Sequence, residues 1–377
     1  MEFSFDALRR WPDIEAPNLY AFDATDRLVL DTAAQEIADA GEGGVVAIGD
    51  RYGALSLGAA TLHSASGIRV HQDALSQERA IVANADRFDL SDRIALHALD
   101  ADLVRDARVV LLQLPRSLDA LDEIARLIAG YAAPGVRVFA GGRVKHMTPA
   151  MNEVLSASFA SVEAGLARQK SRVITASAPR PAGSHTDSSW PRSQRHADLD
   201  LTVWAHGAAF AGTRIDVGTR FLLDYLESVP ETAHRIVDLG CGSGVLATAF
   251  AIQRPDAAVT ATDQSAAATA STCLTADANG VGERVAVVRD DGMSAVPDRS
   301  VDAVLLNPPF HIGASVHAGI ALKLFAEAAR VLKPGGTLLS VWNSHLHYRG
   351  HLERLVGRTH QLGRNSKFTV TMSRRSE

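Results

Sequence analysis

The chain has 377 residues, a net charge of −5 at pH 7, 46% hydrophobic residues and a mean hydropathy of +0.01. That length exceeds one ordinary domain and points to two, of roughly 150 to 200 residues each, while the acidic balance excludes a uniformly basic nucleic-acid coat but not local basic patches. No apolar run reaches the roughly 18 to 20 residues that span a bilayer. The start, Met1-Glu2-Phe3-Ser4-Phe5-Asp6, lacks the basic and apolar regions of a signal peptide, and two cysteines, Cys241 and Cys273, offer no disulfide framework; both suit a reducing cytoplasm.

In chain order, Phe22 to Leu30 reads as the start of a helix leading to a first strand. Val45-Val46-Ala47-Ile48 then runs into Gly49-Asp50-Arg51-Tyr52-Gly53, a strand followed by a glycine loop and a helix. This stretch lies over Ile236 to Leu246 at a constant offset of 191, and Ile68 to Gln72 lies over Val259 to Asp263 at the same offset. Val110 to Arg116 lies over Val304 to Phe310 at an offset of 194, and Ala133-Pro134-Gly135 matches Lys333-Pro334-Gly335. The chain reads as an internal duplication.

The middle changes character. Glu153 to Ala167 is helix-like, whereas Ser177 to Asp198 is rich in Ser, Pro, Arg and His, as a mobile surface linker would be. Between Arg168 and Arg195, Arg168, Lys170, Arg172, Arg180, Arg192 and Arg195 stand against the single acid Asp187, and a solvated linker explains this charge as well as an RNA-facing strip does.

In the second half, Phe210 to Arg220 precedes a helix expected over Phe221 to Ser228. Ile236-Val237-Asp238-Leu239-Gly240-Cys241-Gly242-Ser243-Gly244 is a strand entering a glycine loop, where small residues let backbone approach a ligand. Asp263 ends the next strand, 19 residues beyond Gly244, where a carboxylate can accept ribose hydroxyls. Asp290-Asp291-Gly292 follows Val285 to Val288, with Asp291 the better acceptor for an adenine amine. The apolar run Val301 to Leu306 ends in Asn307-Pro308-Pro309-Phe310. Two prolines cannot continue a ladder, so the chain leaves the sheet at its carboxyl edge, where open α/β sheets bind ligands. The Asn307 amide oxygen can then accept from an amino group in the plane of an aromatic base, and Phe310 can stack on it. A helix over Leu322 to Leu332, a turn at Lys333 to Gly336, a strand over Thr337 to Trp342 and a final hairpin around Asn365-Ser366 complete the pattern.

The glycine loop and Asn-Pro-Pro-Phe, in this order and 67 residues apart from Gly240 to Asn307, resemble the S-adenosylmethionine-dependent methyltransferases that act on exocyclic or amide nitrogens. With a degenerate first half and Asn343-Ser344-His345-Leu346-His347-Tyr348, nearly the whole chain is similar to the ribosomal RNA guanine-N2 methyltransferases. The resemblance implies an α/β fold of two tandem Rossmann-like methyltransferase domains, each a mostly parallel seven-stranded sheet. The expected division is a degenerate domain over 1–167 with an RNA-binding or structural role, a basic linker over 168–200, and a catalytic domain over 201–377.

It also implies S-adenosylmethionine as cofactor, held by Asp216, Gly218, Asp238, Gly240, Gly242, Gly244, Asp263, Gln264, Asp291 and Asn307, with Asn307, Pro308, Pro309 and Phe310 catalytic. Ala47, Arg51, Gln72 and Gln113-Leu114-Pro115-Arg116 replace Asp238, Gly242, Asp263 and the Asn-Pro-Pro-Phe stretch in the first half, so one cofactor per chain is expected. Leu346 to Leu352 and Asn365 to Val370 look more like the large-subunit type; small-subunit RNA, adenine-N6 and protein glutamine are the alternative targets. A dinucleotide dehydrogenase or a non-catalytic RNA-binding scaffold are the competing classes. A dehydrogenase would leave Asn-Pro-Pro-Phe unexplained, and a scaffold would leave the intact second half without a purpose. The expected enzyme is a cytoplasmic monomer acting on protein-free RNA or an assembly intermediate, without membrane or metal; His345, His347 and His351 are expected at surface or RNA-facing positions rather than on a metal.

Overall fold

The structure, a computed structural model, describes residues 2–180, 189–308 and 314–377. The chain divides into two compact units, Met1–Trp190 and Pro191–Glu377.

The first unit contains strands β1 (Val45–Ile48), β2 (Ile68–His71), β3 (Ile94–Leu96), β4 (Val109–Gln113), β5 (Arg137–Arg143), β6 (Phe159–Ala164) and β7 (Ser171–Pro179). Its helices are α1 (Ala24–Asp39), α2 (Ala54–Leu62), α3 (Leu75–Arg87), α4 (Ala101–Val104), α5 (Leu118–Tyr131) and α6 (Pro149–Ser158). The strands form one sheet in the order β3-β2-β1-β4-β5-β7-β6, parallel except at β7, which runs antiparallel to both β5 and β6. Successive residues of β1 and β4 enter different cores: Val45, Ala47, Val109 and Leu111 one, Val46, Ile48, Val110 and Leu112 the other. A strand covered on both faces must be apolar throughout, which is why these segments read as unbroken runs.

The second unit opens with a hairpin, β8 (Arg192–His196) and β9 (Leu201–Ala205). Its main sheet comprises β10 (Arg235–Leu239), β11 (Ala258–Asp263), β12 (Val285–Arg289), β13 (Val301–Leu306), β14 (Leu332–Asn343), β15 (Thr359–Arg364) and β16 (Phe368–Arg374). The helices are α7 (Val217–Leu223), α8 (Val245–Gln253), α9 (Ala266–Ala278), α10 (Ala314–Val331) and α11 (Arg349–Leu355). The strand order β12-β11-β10-β13-β14-β16-β15 repeats that of the first unit. The register repeats too. Ile48 lies opposite His71 and Leu112, and Leu239 opposite Thr262 and Leu306, reproducing the sequence offsets of 191 and 194. Phe250 and Phe325 are fully buried in the two cores flanking this sheet, and burying each such ring stabilises the fold by about 1.5–3 kcal/mol.

Four local expectations change. The helix expected over Glu153 to Ala167 ends at Ser158, because Ser161 to Ala164 pair with β7 and long-range pairing overrides a local pattern that contains no breaker. The basic stretch 168–200 is largely ordered: Ser171–Pro179 is β7 and Arg192–His196 is β8, while 181–188 lie outside the described residues. The outer edge of β9 is satisfied by side chains on α9. Ser271, Thr275 and Asn279, four apart on one helix face, accept from the amides of His206, Trp204 and Thr202 at 2.9–3.0 Å. The helix expected over Phe221 to Ser228 is α7, which starts earlier at Val217 and ends at Leu223, with a 3-10 turn at Leu226–Ser228 beyond it. Lys333 to Gly336, expected as a turn, is an irregularity within β14, where pairing with β13 jumps from Leu332 to Thr337.

Candidate active site

The site is built at the carboxyl edge of β10 and β13. Gly240, Gly242 and Gly244 adopt φ of 76°, 56° and 78°, the left-handed region that only glycine enters without strain. Their surroundings separate their roles. A Cβ at Gly240 or Gly242 would meet nothing within 4 Å, so both present bare backbone to open space. A Cβ at Gly244 would lie 2.8 Å from Thr272 Cγ2, so this glycine lets α8 pack against α9.

Two carboxylates brace the loop. Asp263 accepts from Gly242 N at 3.0 Å and from Ser265 N at 2.9 Å, which fixes the plane of its carboxylate at the strand end. Asp238 is fully buried; its Oδ2 accepts from Ala247 N at 2.9 Å, while Oδ1 has no partner among the described residues. Burial, reinforced by the neighbouring charge of Asp263, raises its pKa to about 7.

Asp216 caps α7, its Oδ2 accepting from Gly218 N at 2.8 Å and Thr219 N at 3.2 Å. The same oxygen accepts from Asn307 Nδ2 at 3.1 Å, and Thr219 Oγ1 accepts from Nδ2 at 2.9 Å. Asn307 Oδ1 is shielded from solvent and meets no donor among the described residues. A Cβ at Gly218 would stand 3.0 Å from Asp216 Oδ2 and 3.4 Å from Asn307 Oδ1, so the close approach of α7 to Asn307 requires glycine here.

Of the residues expected from sequence, Asp216, Gly240, Gly242 and Asn307 line one cavity, joined by Thr219 and Arg214, which the sequence had not singled out. Asp238, Gly244 and Asp263 are not among the residues that line this cavity. Pro308 is buried, and Pro309 and Phe310 lie outside the described residues. Asp291 is ion-paired with Lys323 Nζ at 2.6 Å, and Gln264 accepts from Arg289 Nε through its backbone carbonyl at 3.3 Å. Among the described residues no three His, Cys, Asp or Glu gather at metal-binding range, and no helix is long and apolar enough to cross a membrane.

This donor set fits S-adenosylmethionine: bare backbone at Gly240 and Gly242, a carboxylate for ribose, an arginine for a carboxylate, and the unpartnered oxygen of Asp238 for an ammonium. Fold and site together define an S-adenosylmethionine-dependent methyltransferase. The Methyltransferase small domain family matches residues 200–372, and the RLMG N-terminal domain family matches 1–180. Relatives called ribosomal RNA large subunit methyltransferase G are 34% identical in Streptomyces coelicolor, covering 96% of both chains, and 34% identical in Pseudomonas putida, covering 98% of this chain and 97% of that one. The chain belongs to the ribosomal RNA large subunit methyltransferase G family. The fold matches the Thermus thermophilus 16S rRNA N2 G1207 methyltransferase solved with AdoMet and guanosine, at a TM-score of 0.76, 20% identity, and coverage of 96% and 97%.

Proposed function

We propose that the protein transfers a methyl group from S-adenosylmethionine to the exocyclic N2 amine of a guanine in large-subunit ribosomal RNA. The observation that carries this reading is the Asn307 amide, both of whose N–H groups are engaged while its oxygen meets no donor among the described residues, at the edge of the glycine loop. Such an oxygen accepts from an amine. The names of the large-subunit relatives support the choice of RNA.

The guanine amine is a weak nucleophile because its lone pair is delocalised into the ring. Asn307 Oδ1 and the Pro308 carbonyl accept its two hydrogens, favour the pyramidal form and aim the lone pair in line for displacement. S-adenosylmethionine supplies an electrophilic methyl on a sulfonium, which needs neither a Lewis acid nor a strong base. Asp263 takes the ribose hydroxyls, Gln264 and Asp291 the adenosine end, Arg214 the methionine carboxylate and Asp238 the ammonium. Phe310 takes the stacking role, offsetting part of the roughly few kcal/mol that base extrusion costs.

The first unit has a second part to play. It holds a cavity of about 400 Å³ lined by Arg51, Arg116, Arg143 and Lys145, none of which makes an ion pair among the described residues. Arg51 and Arg116 stand where the second unit has Gly242 and Phe310, so the degenerate site has become cationic and suits RNA phosphates. We place the enzyme in the cytoplasm as a monomer, acting without metal or membrane on protein-free RNA or an early assembly intermediate.

Deleting the gene and digesting each ribosomal RNA separately tests the substrate. N2-methylguanosine should disappear from large-subunit RNA by mass spectrometry and return when purified protein is added. Loss confined to small-subunit RNA would move the target, and loss of a methylated adenine or glutamine would overturn the guanine assignment.

Asp238 makes cofactor binding pH-dependent. Its pKa of about 7 lies above the value of an unfolded aspartate, about 3.9, so protonated Asp238 persists in the folded state between these values. Stability relative to the unfolded chain therefore falls as pH rises from about 4 to about 7, whereas affinity for a cationic ammonium rises as the carboxylate ionises. Calorimetry should show tighter cofactor binding at pH 7.5 than at pH 6, since an α-amino group, with a pKa of roughly 7.7–8.0, is still mostly protonated at the higher pH. Asp238→Asn should bind more weakly at both pH values, lose that slope and melt higher at pH 8; an unchanged slope would show that another group titrates.

A further inference from the structure

The first turn of α7 reaches across to the end of β13 and holds the Asn307 side chain at two points, the Asp216 carboxylate at 3.1 Å and the Thr219 hydroxyl at 2.9 Å. An amide oxygen and nitrogen look alike by shape, and only their partners distinguish them. Here chemistry decides. A carboxylate oxygen that accepts from Gly218 N and Thr219 N has no hydrogen to give, so the group facing Asp216 is the NH2 and the carbonyl is the other branch of the amide. With one N–H on Asp216 and the other on Thr219, Nδ2 is used up and Oδ1 alone remains to meet a substrate.

We propose that Thr219 is a positioning residue for methyl transfer: its hydroxyl, together with the Asp216 carboxylate, locks the Asn307 amide with its carbonyl oxygen toward the reacting amine. The proposal rests on the guanine-amine reading above and adds what orients that reading's central residue. The lock does more than point. Hydrogen bonds donated from the nitrogen of an amide draw charge onto its oxygen, so the pair on α7 makes Oδ1 a stronger acceptor where the amine becomes more positive during attack.

The first unit carries the same construction in different side chains. Asp23 caps α1 as Asp216 caps α7, with its side chain accepting from Thr25 N at 2.6 Å. Asp26 stands three residues after that cap, as Thr219 stands three after Asp216, and Gln113, at the place of Asn307, donates Nε2 to the Asp26 carboxylate. An amide clamped onto the first turn of the preceding helix is thus a feature of both sheets at this edge. What distinguishes the second unit is the shorter Asn side chain and a neutral hydroxyl at the third position. The hydroxyl accepts from Nδ2 without placing a second carboxylate beside Asp216.

Substituting Thr219 leaves the helix cap alone, since Asp216 accepts from the backbone N–H groups of 218 and 219 whatever side chain 219 carries. Thr219→Val keeps the branched shape and removes the hydroxyl. In the full chain acting on large-subunit ribosomal RNA stripped of protein, kcat should fall about tenfold or more. KM for RNA and the calorimetric affinity for S-adenosylmethionine should stay within about twofold. Thr219→Ser should restore kcat to within about threefold of the parent. A second readout does not depend on the substrate: with 15N-asparagine in the full chain, the side-chain NH2 signal of Asn307, identified by its absence in Asn307→Asp, should exchange slowly in the parent and in Thr219→Ser but rapidly in Thr219→Val. If Thr219→Val turns over within twofold of the parent, if only its KM moves, if Ser is as impaired as Val, or if the NH2 exchange is the same in all three, the lock is refuted. A parent that shows the slow NH2 yet methylates no guanine would refute the substrate reading and leave the lock standing.

Discussion

Asn307→Ala should lose methylation by about 10² or more while its affinity for S-adenosylmethionine stays within a fewfold, the signature of a group that acts on the transition state rather than on cofactor binding. The reason lies in how Asn307 is held. Its nitrogen is spent on Asp216 and Thr219, so the residue contributes one buried acceptor at the sheet edge. Truncation removes that acceptor and leaves the glycine loop intact, because Gly240 and Gly242 are held by contacts to Thr262 and Asp263 that do not involve residue 307. Single-turnover methylation at saturating cofactor measures the first quantity and calorimetry the second. Asn307→Asp should do no better than alanine: a carboxylate there would face the Asp216 carboxylate where the amide now donates, and like charges at that distance repel. Near-normal turnover in either variant would remove Asn307 from the chemistry.

What could be read from the sequence was whatever its residue types dictate locally. β10 and β13 are apolar on both faces and end in breakers, so strand, loop and carboxyl edge all show in the order of residues. The duplication was visible for the same reason, since the offsets of 191 and 194 carry the pairing of β1 with β4 onto that of β10 with β13. What depended on distant partners stayed hidden. β8 looked like linker because Arg192 to His196 gave no apolar pattern, and the outer edge of its partner β9 is completed by hydroxyl and amide side chains some 65 to 77 residues away. Thr219 carried one local signal, its spacing of three from the capping Asp216. That spacing marks a helix start and does not reveal that the end of β13 lies beside it. Asp291 read well as an adenine acceptor by its place after β12, but only the structure shows Lys323 paired with it.

A titration of the full chain with S-adenosylmethionine should give a stoichiometry near one, and Asp263→Ala should abolish binding. The first unit keeps the strand, loop and helix, and its own side chains fill the place where a ligand would bind. Asp50, at the position of Cys241, turns its carboxylate back onto α2: Oδ1 accepts from Gly53 N at 3.1 Å and Leu55 N at 3.2 Å, and Oδ2 from Ser56 N at 2.8 Å and Ser56 Oγ at 2.6 Å. The helix terminus is thereby capped from within. Gln72, at the position of Asp263, keeps one duty of that residue, since its Oε1 accepts from Ala74 N at 3.1 Å as Asp263 accepts from Ser265 N. Its Nε2 is committed to the Asp50 carbonyl at 3.0 Å. An amide tied down in this way offers no pair of negative oxygens to ribose hydroxyls, and Arg51 replaces the bare backbone of Gly242. In the second unit Asp263 does two jobs at once, bracing Gly242 and facing the ribose, so its truncation removes a ligand contact and loosens the loop together. Asp263→Asn separates the two. It still accepts from one backbone N–H but turns its NH2 against the other, so it should melt below the parent yet above Asp263→Ala, while binding cofactor at least about tenfold more weakly. A stoichiometry near two, or cofactor binding that survives Asp263→Ala, would show that the first unit still works.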